Sequence, residues 1–242
     1  MHRIQHGSDT IEYSIRFSSR ARRRRIVVRA GSVTAVAPKG DSVRALHRMV
    51  RGEARWILTR QRVLRQKADR MKERTSYAAV DGSRLYVWGR RARLRLKKET
   101  GGPEEAGLKD DVLTVAVRKG EDAGDIPGLI QEELAKLVMS AAEGYAEYYS
   151  GLLGVRPGKI RVREMKTRWG SCGVTGNISL NLRLAHFPRH VLQYVVAHEI
   201  CHLVHRNHAE RFRLLLNSVL PEELKGVRRT EQLLWPGHST RL

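Results

Sequence analysis

The sequence predicts an α+β fold, and two periodicities carry the prediction. Apolar residues alternate with polar ones over short stretches of the first 120 residues, the signature of half-buried strands, whereas three longer segments repeat their apolar positions every three or four residues, as helices do. Ile11, Tyr13, Ile15 and Phe17 alternate, and Ile26-Val27-Val28 and Val33 to Ala37 follow, which together predict a small antiparallel sheet. Asp41-Ser42 is placed to cap a helix whose apolar positions are Val43, Leu46, Val50, Ala54, Ile57 and Leu64, running to about Arg74. Beyond Asp81-Gly82, Leu85 to Trp88 predicts a strand, Gly89 a turn, and Ala92 to Leu96 and Val112 to Val117 two further strands. Gly101 to Glu105 reads as a surface loop.

From Leu129 to Tyr149, the positions Leu134, Leu137, Val138, Ala141, Tyr145 and Tyr148 mark a long amphipathic helix, ended by Gly151, Gly154, Pro157 and Gly158. Asn177 to Leu182 reads as a short strand with Ile178, Leu180 and Leu182 on one face. Val191 to Ala197 is apolar enough to open a buried helix, which should pack on the long one. Trp235 to Thr240 reads as a tail in which His238 has no role, and no internal repeat is present.

The chain has 242 residues, 41% of them hydrophobic, and a formal net charge of +21. Residues 1 to 100 hold 27 Lys and Arg against 8 Asp and Glu, while residues 101 to 242 hold 19 against 17, so the first part carries the charge. Two portions are therefore expected: a basic, strand-rich one at 1–120 and a second one at 121–242. Arg22 to Arg25 is the densest basic run, and a surface of this kind attracts polyanions such as nucleic acid or nucleotides. Two cysteines, Cys172 and Cys201, make no disulfide framework and point to a reducing compartment. The N-terminus lacks the apolar core of a signal peptide and no apolar run reaches about 18 residues. A cytoplasmic protein without a membrane partner is expected.

The chemistry concentrates in His198-Glu199-Ile200-Cys201-His202. On a helix, positions 198 and 202 lie one turn apart on the same face, so two imidazole nitrogens can converge on one divalent ion, and the geometry predicts Zn2+. Glu199, beside the first ligand, can take a proton from water as general base for hydrolysis. A charged pair in so apolar a segment needs the compensation a metal supplies. For the third ligand, His205 would lie roughly 10 Å along a straight helix from His198, too far for bonds of about 2.0 to 2.1 Å. His208 does better if the chain turns, and Asn207 with Glu210 resembles a capping box opening a second helix from Arg211 to Leu220. Arg168 is either a cation that stabilises developing negative charge or grips a substrate anion, or a solvated residue paired to Glu164.

Arg168-Trp169-Gly170-Ser171-Cys172, then Asn177-Ile178-Ser179-Leu180-Asn181, then Tyr194 to His202 and Asn207-His208 resemble, in order and separation, the YgjP-like metallopeptidase domain, a family distantly related to SprT-like zinc proteins. The resemblance is specific over about residues 160 to 220 and looser before it. It departs at Arg211-Phe212-Arg213, where the family commonly has Phe-Trp: Phe212 matches and the Trp is absent. The resemblance implies a zincin-like catalytic portion, a zinc site of His198, His202 and His208, Glu199 as base, and the strand from Asn177 as the sheet edge along which an extended substrate lies. The expected function is a zinc-dependent hydrolase, a metallopeptidase acting on peptide or protein substrates with a zinc-activated water. Two alternatives share the motif: a metal-dependent phosphohydrolase acting on nucleotides, which the basic first half would suit, and a non-catalytic zinc-stabilised nucleic-acid-binding protein.

Overall fold

A computed structural model describes residues 1–100, 103–118, 125–166, 168–225 and 239–241. They form a mixed α+β structure of three small sheets and six α-helices among the described residues. Two units are distinguished: Met1–Lys72 with the C-terminal strand, and Glu73–Gln232.

In the first unit, β1 (His2–His6), β2 (Asp9–Phe17), β3 (Arg25–Arg29), β4 (Ser32–Ala37) and the terminal strand Ser239–Arg241 form one sheet in the order β1, β2, β4, β3, terminal strand. It is mixed rather than antiparallel, because β2 runs parallel to β4, with Ser14 opposite Thr34 and Phe17 opposite Ala37. Alternation specifies which face of a strand is buried but not the direction of its neighbour. Here β3 pairs with β4 as a hairpin and leaves β4 beside β2. Of the expected tail, Ser239–Arg241 instead pairs antiparallel with β3, and Trp235 to His238 lie outside the described residues.

The expected long helix is two: α1 (Val43–Gly52) and α2 (Ala54–Thr75). Ser42 caps α1 by accepting from Ala45 N–H at 3.4 Å. Leu46, Val50, Ala54, Ile57 and Leu64 are buried against Ile11, Tyr13, Ile26, Val28 and Ala35 of the sheet. That single apolar stripe is what holds helix to sheet.

In the second unit, β5 (Arg84–Val87), β6 (Arg90–Glu99), β7 (Glu105–Lys109) and β8 (Val112–Arg118) form a sheet in the order β5, β6, β8, β7. Trp88 and Gly89 both take positive φ, 51° and 79°, which makes a two-residue hairpin turn whose twist suits the flanking strands. A Cβ at position 89 would lie 2.7 Å from a Pro188 side-chain carbon, so glycine also permits close packing there. The 28-residue α3 (Ile126–Leu153) packs on β7 and β8. The expected division at residue 120 therefore falls inside this unit. The buried stripe of α3 is Ile130, Leu134, Val138, Ala142, Ala146 and Tyr149. Tyr148, expected inside, is 57% exposed, and Tyr149 takes its place, accepting from Gln193 at 3.1 Å.

A last sheet orders β10 (Gly170–Cys172), β11 (Ile178–Asn181) and β9 (Ile160–Arg163). The expected edge strand, β11, is central: it pairs antiparallel with β10 and parallel with β9. A 3-10 turn at Leu182–His186 leads to α4 (Arg189–Val204), α5 (Glu210–Val219) and α6 (Glu222–Lys225). As expected, α4 packs on α3. Among the described residues, no helix is long and apolar enough to cross a membrane.

Replacing Ile57, which is fully buried, with Ala leaves a cavity under the first sheet. The expected loss of stability is about 3 kcal/mol, seen as a lower urea midpoint at unchanged slope.

Candidate metal centre

His198, Glu199 and His202 lie on α4, which is buried along most of its length. The helix stops at Val204, and His205 N–H donates to the Cys201 carbonyl as its last turn closes. The chain then reverses through Arg206 and Asn207 and brings His208 back. One ring nitrogen from each of His198, His202 and His208 lies within 4.8 Å of the others, and no second such cluster occurs among the described residues. His205 is not in this group. The second helix starts later than the capping-box pattern suggested: α5 opens at Glu210 with Ala209 as its cap, and Asn207 Oδ1 accepts from Ala209 N–H at 3.3 Å. Asn207 thus shapes the reversal before the helix rather than the helix end itself.

The ring orientations have identifiable causes. His202 Nδ1 is 3.0 Å from the His205 carbonyl, so it carries the proton and donates, which leaves Nε2 bare. Burial, together with the charges of His208 and Arg206, holds the His202 imidazole below its ordinary pKa, in the neutral form that metal binding requires. Phe212 stacks on His202 with centroids 4.5 Å apart and lies 4.9 Å from both His198 and His208. The Phe retained from the family pattern therefore forms the floor of the cluster. The Nε2 atoms of His198 and His208 stand 2.9 Å apart. Two imidazole nitrogens so close need a cation or proton between them, and two ligands of a tetrahedral zinc with bonds of about 2.0 to 2.1 Å are separated by about 3.3 Å. The three residues fit such an ion.

Glu199 is 6% exposed and lies against β10 rather than in solvent. A Cβ at position 170 would stand 2.7 Å from Glu199 Oε1, so only glycine lets the strand come this close. The Cys172 backbone N–H donates to the Glu199 carboxylate. Burial raises the carboxyl to about 7, partly offset by that hydrogen bond and by the charge of Arg168. Arg168 itself is exposed, and its carbonyl accepts from Asn181 Nδ2 at 2.7 Å.

Three further residues hold this arrangement: Gly170 and Asn181, which lie in the segments of the family resemblance but were given no role there, and Arg206. Asn181, 1% exposed, also donates to the Met165 carbonyl at 2.8 Å and accepts from Arg183 N–H at 3.1 Å, so it pins the segment leading into β10. Arg206 donates to the carbonyls of Gly173 and Val174 at 2.7 and 2.9 Å, fastening the loop that carries His208 to the β10–β11 turn. Gly170 admits Glu199. A buried Asn and a Gly in a strand are each a sequence signal of close backbone approach. Cys201 is buried, its thiol pushed up to about 11, and neither cysteine belongs to the cluster.

Glu199 keeps its proton to about pH 7 when folded, against an ordinary value of 4.5, so between these values the folded state binds more protons than the unfolded one. Stability contributed by this group is lost as pH rises through that window. In chelator-treated protein, Glu199→Gln is expected to gain on the wild type from pH 4.5 to 7, by on the order of 3 kcal/mol. Parallel stability profiles for the two proteins would show the carboxyl to be solvated.

A comparison with curated proteins finds no match. Among solved structures, the metallopeptidase zymogen of Pyrococcus abyssi abylysin is similar at 26% identity, over 38% of this chain and 94% of its own, with a TM-score of 0.34. The metallopeptidase zymogen of Methanocaldococcus jannaschii jannalysin is similar at 20% identity, over 38% and 96%, with a TM-score of 0.33. The sequence matches the profile of the YgjP-like, metallopeptidase domain over residues 22–231, nearly the whole chain, and on this evidence the protein belongs to the YgjP-like metallopeptidase domain family.

Proposed function

We propose that the protein is a zinc-dependent peptidase in which His198, His202 and His208 hold the ion and Glu199 is the general base. The observation that carries this reading is the convergence within 4.8 Å of two imidazole nitrogens from α4 and a third from the loop after it, beside a buried carboxyl on the same helix raised to about 7. Zinc, when bound, supplies a Lewis acid that acidifies water and polarises a peptide carbonyl. Glu199 takes the proton from the attacking water and passes it to the leaving amine. Burial makes the Glu199 carboxyl a stronger base than an ordinary carboxylate, which suits that exchange. The Cys172 N–H holds the carboxylate in one orientation, and burial keeps competing water away from it.

The substrate strand is assigned to β10 instead of β11. Asn181 N–H donates to the Trp169 carbonyl and Gly173 N–H to the Asn177 carbonyl, so residues 169, 171 and 173 turn their peptide groups to β11. Antiparallel pairing alternates, which leaves the peptide groups of Gly170 and Cys172 on the side facing Glu199. The Gly170 N–H and the carbonyls of Gly170 and Cys172 can pair with an extended peptide laid beside the base. Arg168, just before this strand, is the cation for a substrate carboxylate or the developing oxyanion. In this reading residues 121–242 carry the hydrolytic chemistry.

Zinc-loaded wild type is expected to cut casein or an unstructured peptide, and Glu199→Gln to lose about 10³-fold or more in rate while keeping its metal, measured by peptide release and metal analysis. Cleavage retained by the variant would remove Glu199 from the chemistry, and hydrolysis of nucleoside triphosphates alone would replace the peptidase reading with a phosphohydrolase one. His208→Ala is expected to lose zinc. His205→Ala should retain it, because that residue acts through its backbone carbonyl. The reverse pattern in metal analysis would overturn the ligand assignment.

A further inference from the structure

Helices α1 and α2 carry a line of arginines that the hydrolytic site does not use. Arg44, Arg48, Arg51, Arg55, Arg62 and Arg65 follow one another at separations of 4, 3, 4, 7 and 3 residues. At 3.6 residues per turn, Arg44, Arg48 and Arg51 fall within about 60° on α1, and Arg55, Arg62 and Arg65 within about 80° on α2. The helix is interrupted at Glu53, whose φ of −99° and ψ of 11° end α1, although its N–H donates to the Met49 carbonyl at 3.1 Å and its carbonyl accepts from Ile57 N–H at 2.9 Å. The apolar positions of both helices are buried against the same sheet, so both sets of arginines face away from it. All six side chains are exposed, and the other side of the same helices is the apolar stripe buried under the first sheet.

None of the six forms an ion pair among the described residues, whereas Arg24 is neutralised by a two-pronged bond to Asp41 at 2.8 and 2.6 Å. Glu53 is the half-buried cap of α1, and Asp69 lies one turn beyond the last arginine. Like charges one turn apart each destabilise a helix by a few tenths of a kcal/mol, so the stripe works against the element that carries it and is relieved only by an anion.

We propose that this stripe binds the phosphodiester backbone of nucleic acid, independently of its sequence and of the hydrolase reading. The arginines cover roughly 10 Å of α1 and roughly 15 Å of α2 at 1.5 Å per residue. One strand of a duplex places about three and about four phosphates along those lengths, at 3.4 Å each. Every cation in the line is arginine, whose planar fork of donors matches phosphate oxygens. The other exposed residues between them, Gly52, Thr59 and Arg60, and Gln66 just beyond, provide neither an aromatic ring to stack on bases nor an apolar group to enter a lipid layer. Backbone contact is the recognition this surface offers.

The test is fluorescence anisotropy of the full-length protein with labelled 20-mer duplex DNA, duplex RNA and both single strands, between 50 and 200 mM salt. For duplex DNA, six phosphate contacts predict a slope of log K against log salt near −5, at about 0.9 per contact. R44Q/R48Q and R62Q/R65Q are each expected to make the slope shallower by about two. R93Q/R95Q, which removes the same charge from exposed positions on β6, is expected to leave it unchanged. R44K/R48K should retain the wild-type slope, which separates charge from folding if a glutamine pair unfolds in a thermal melt. No binding to any of the four nucleic acids at 50 mM salt, or an equal loss in R93Q/R95Q, would overturn the proposal. Binding to phosphatidylserine vesicles without binding to oligonucleotides would overturn it in favour of a membrane surface.

Discussion

The contact between the Glu199 carboxyl and the strand Gly170–Cys172 is the constraint around which the second unit is arranged. A carboxyl 6% exposed must have its oxygens satisfied or take a proton. Here both happen in part, because the Cys172 N–H serves the charged form while burial raises the pKa to about 7. The approach needs a residue without Cβ at 170. It also needs the strand held in place, which Asn181 does from β11 by binding the Met165 and Arg168 carbonyls. The segment Gly170–Cys172 is therefore a strand that closes over the acid on α4.

A second constraint acts from the other end of α4. A straight helix cannot bring a third imidazole to His198 and His202, so the helix has to stop and the chain reverse within a few residues. The reversal is stabilised locally by the Asn207 side chain and at longer range by Arg206, which grips the Gly173 and Val174 carbonyls of the β10–β11 turn. The same two hydrogen bonds connect the loop bearing His208 to the strand that faces Glu199. The loop bearing His208 and the strand edge are thus one mechanical piece, and the His202 ring is oriented by the carbonyl of His205, a histidine outside the cluster itself.

The first unit answers to different physics. Its core is one apolar helical stripe on one sheet face, and its charge lies on the opposite helical face and in the loop after β2. Charge of one sign spread along a helix adds nothing to that core. The excess of 27 Lys and Arg over 8 acids in the first 100 residues is therefore a property of the surface and of what meets it.

What the sequence determined by itself was whatever is encoded within a few residues of its neighbour. The spacing of His198 and His202, the acid between them, the buried stripe of α2 and the turn at Gly89 are of this kind, because helical and strand periods repeat locally. Legibility fell where pairing is long-range. Alternation in β2 and β4 marked their buried faces but not their parallel direction, and Ile178, Leu180 and their neighbours marked a strand but not its central position between β10 and β9. Tyr148 and Tyr149 exchanged places because adjacent residues differ by only 100° on a helix, and α3 packs on both α4 and a sheet. The sequence could nominate His208 only by excluding His205. Bringing its Nε2 to within 2.9 Å of His198 required Arg206, Phe212 and the β10–β11 turn, which lie up to 35 positions away in the chain and meet only when the tertiary structure forms.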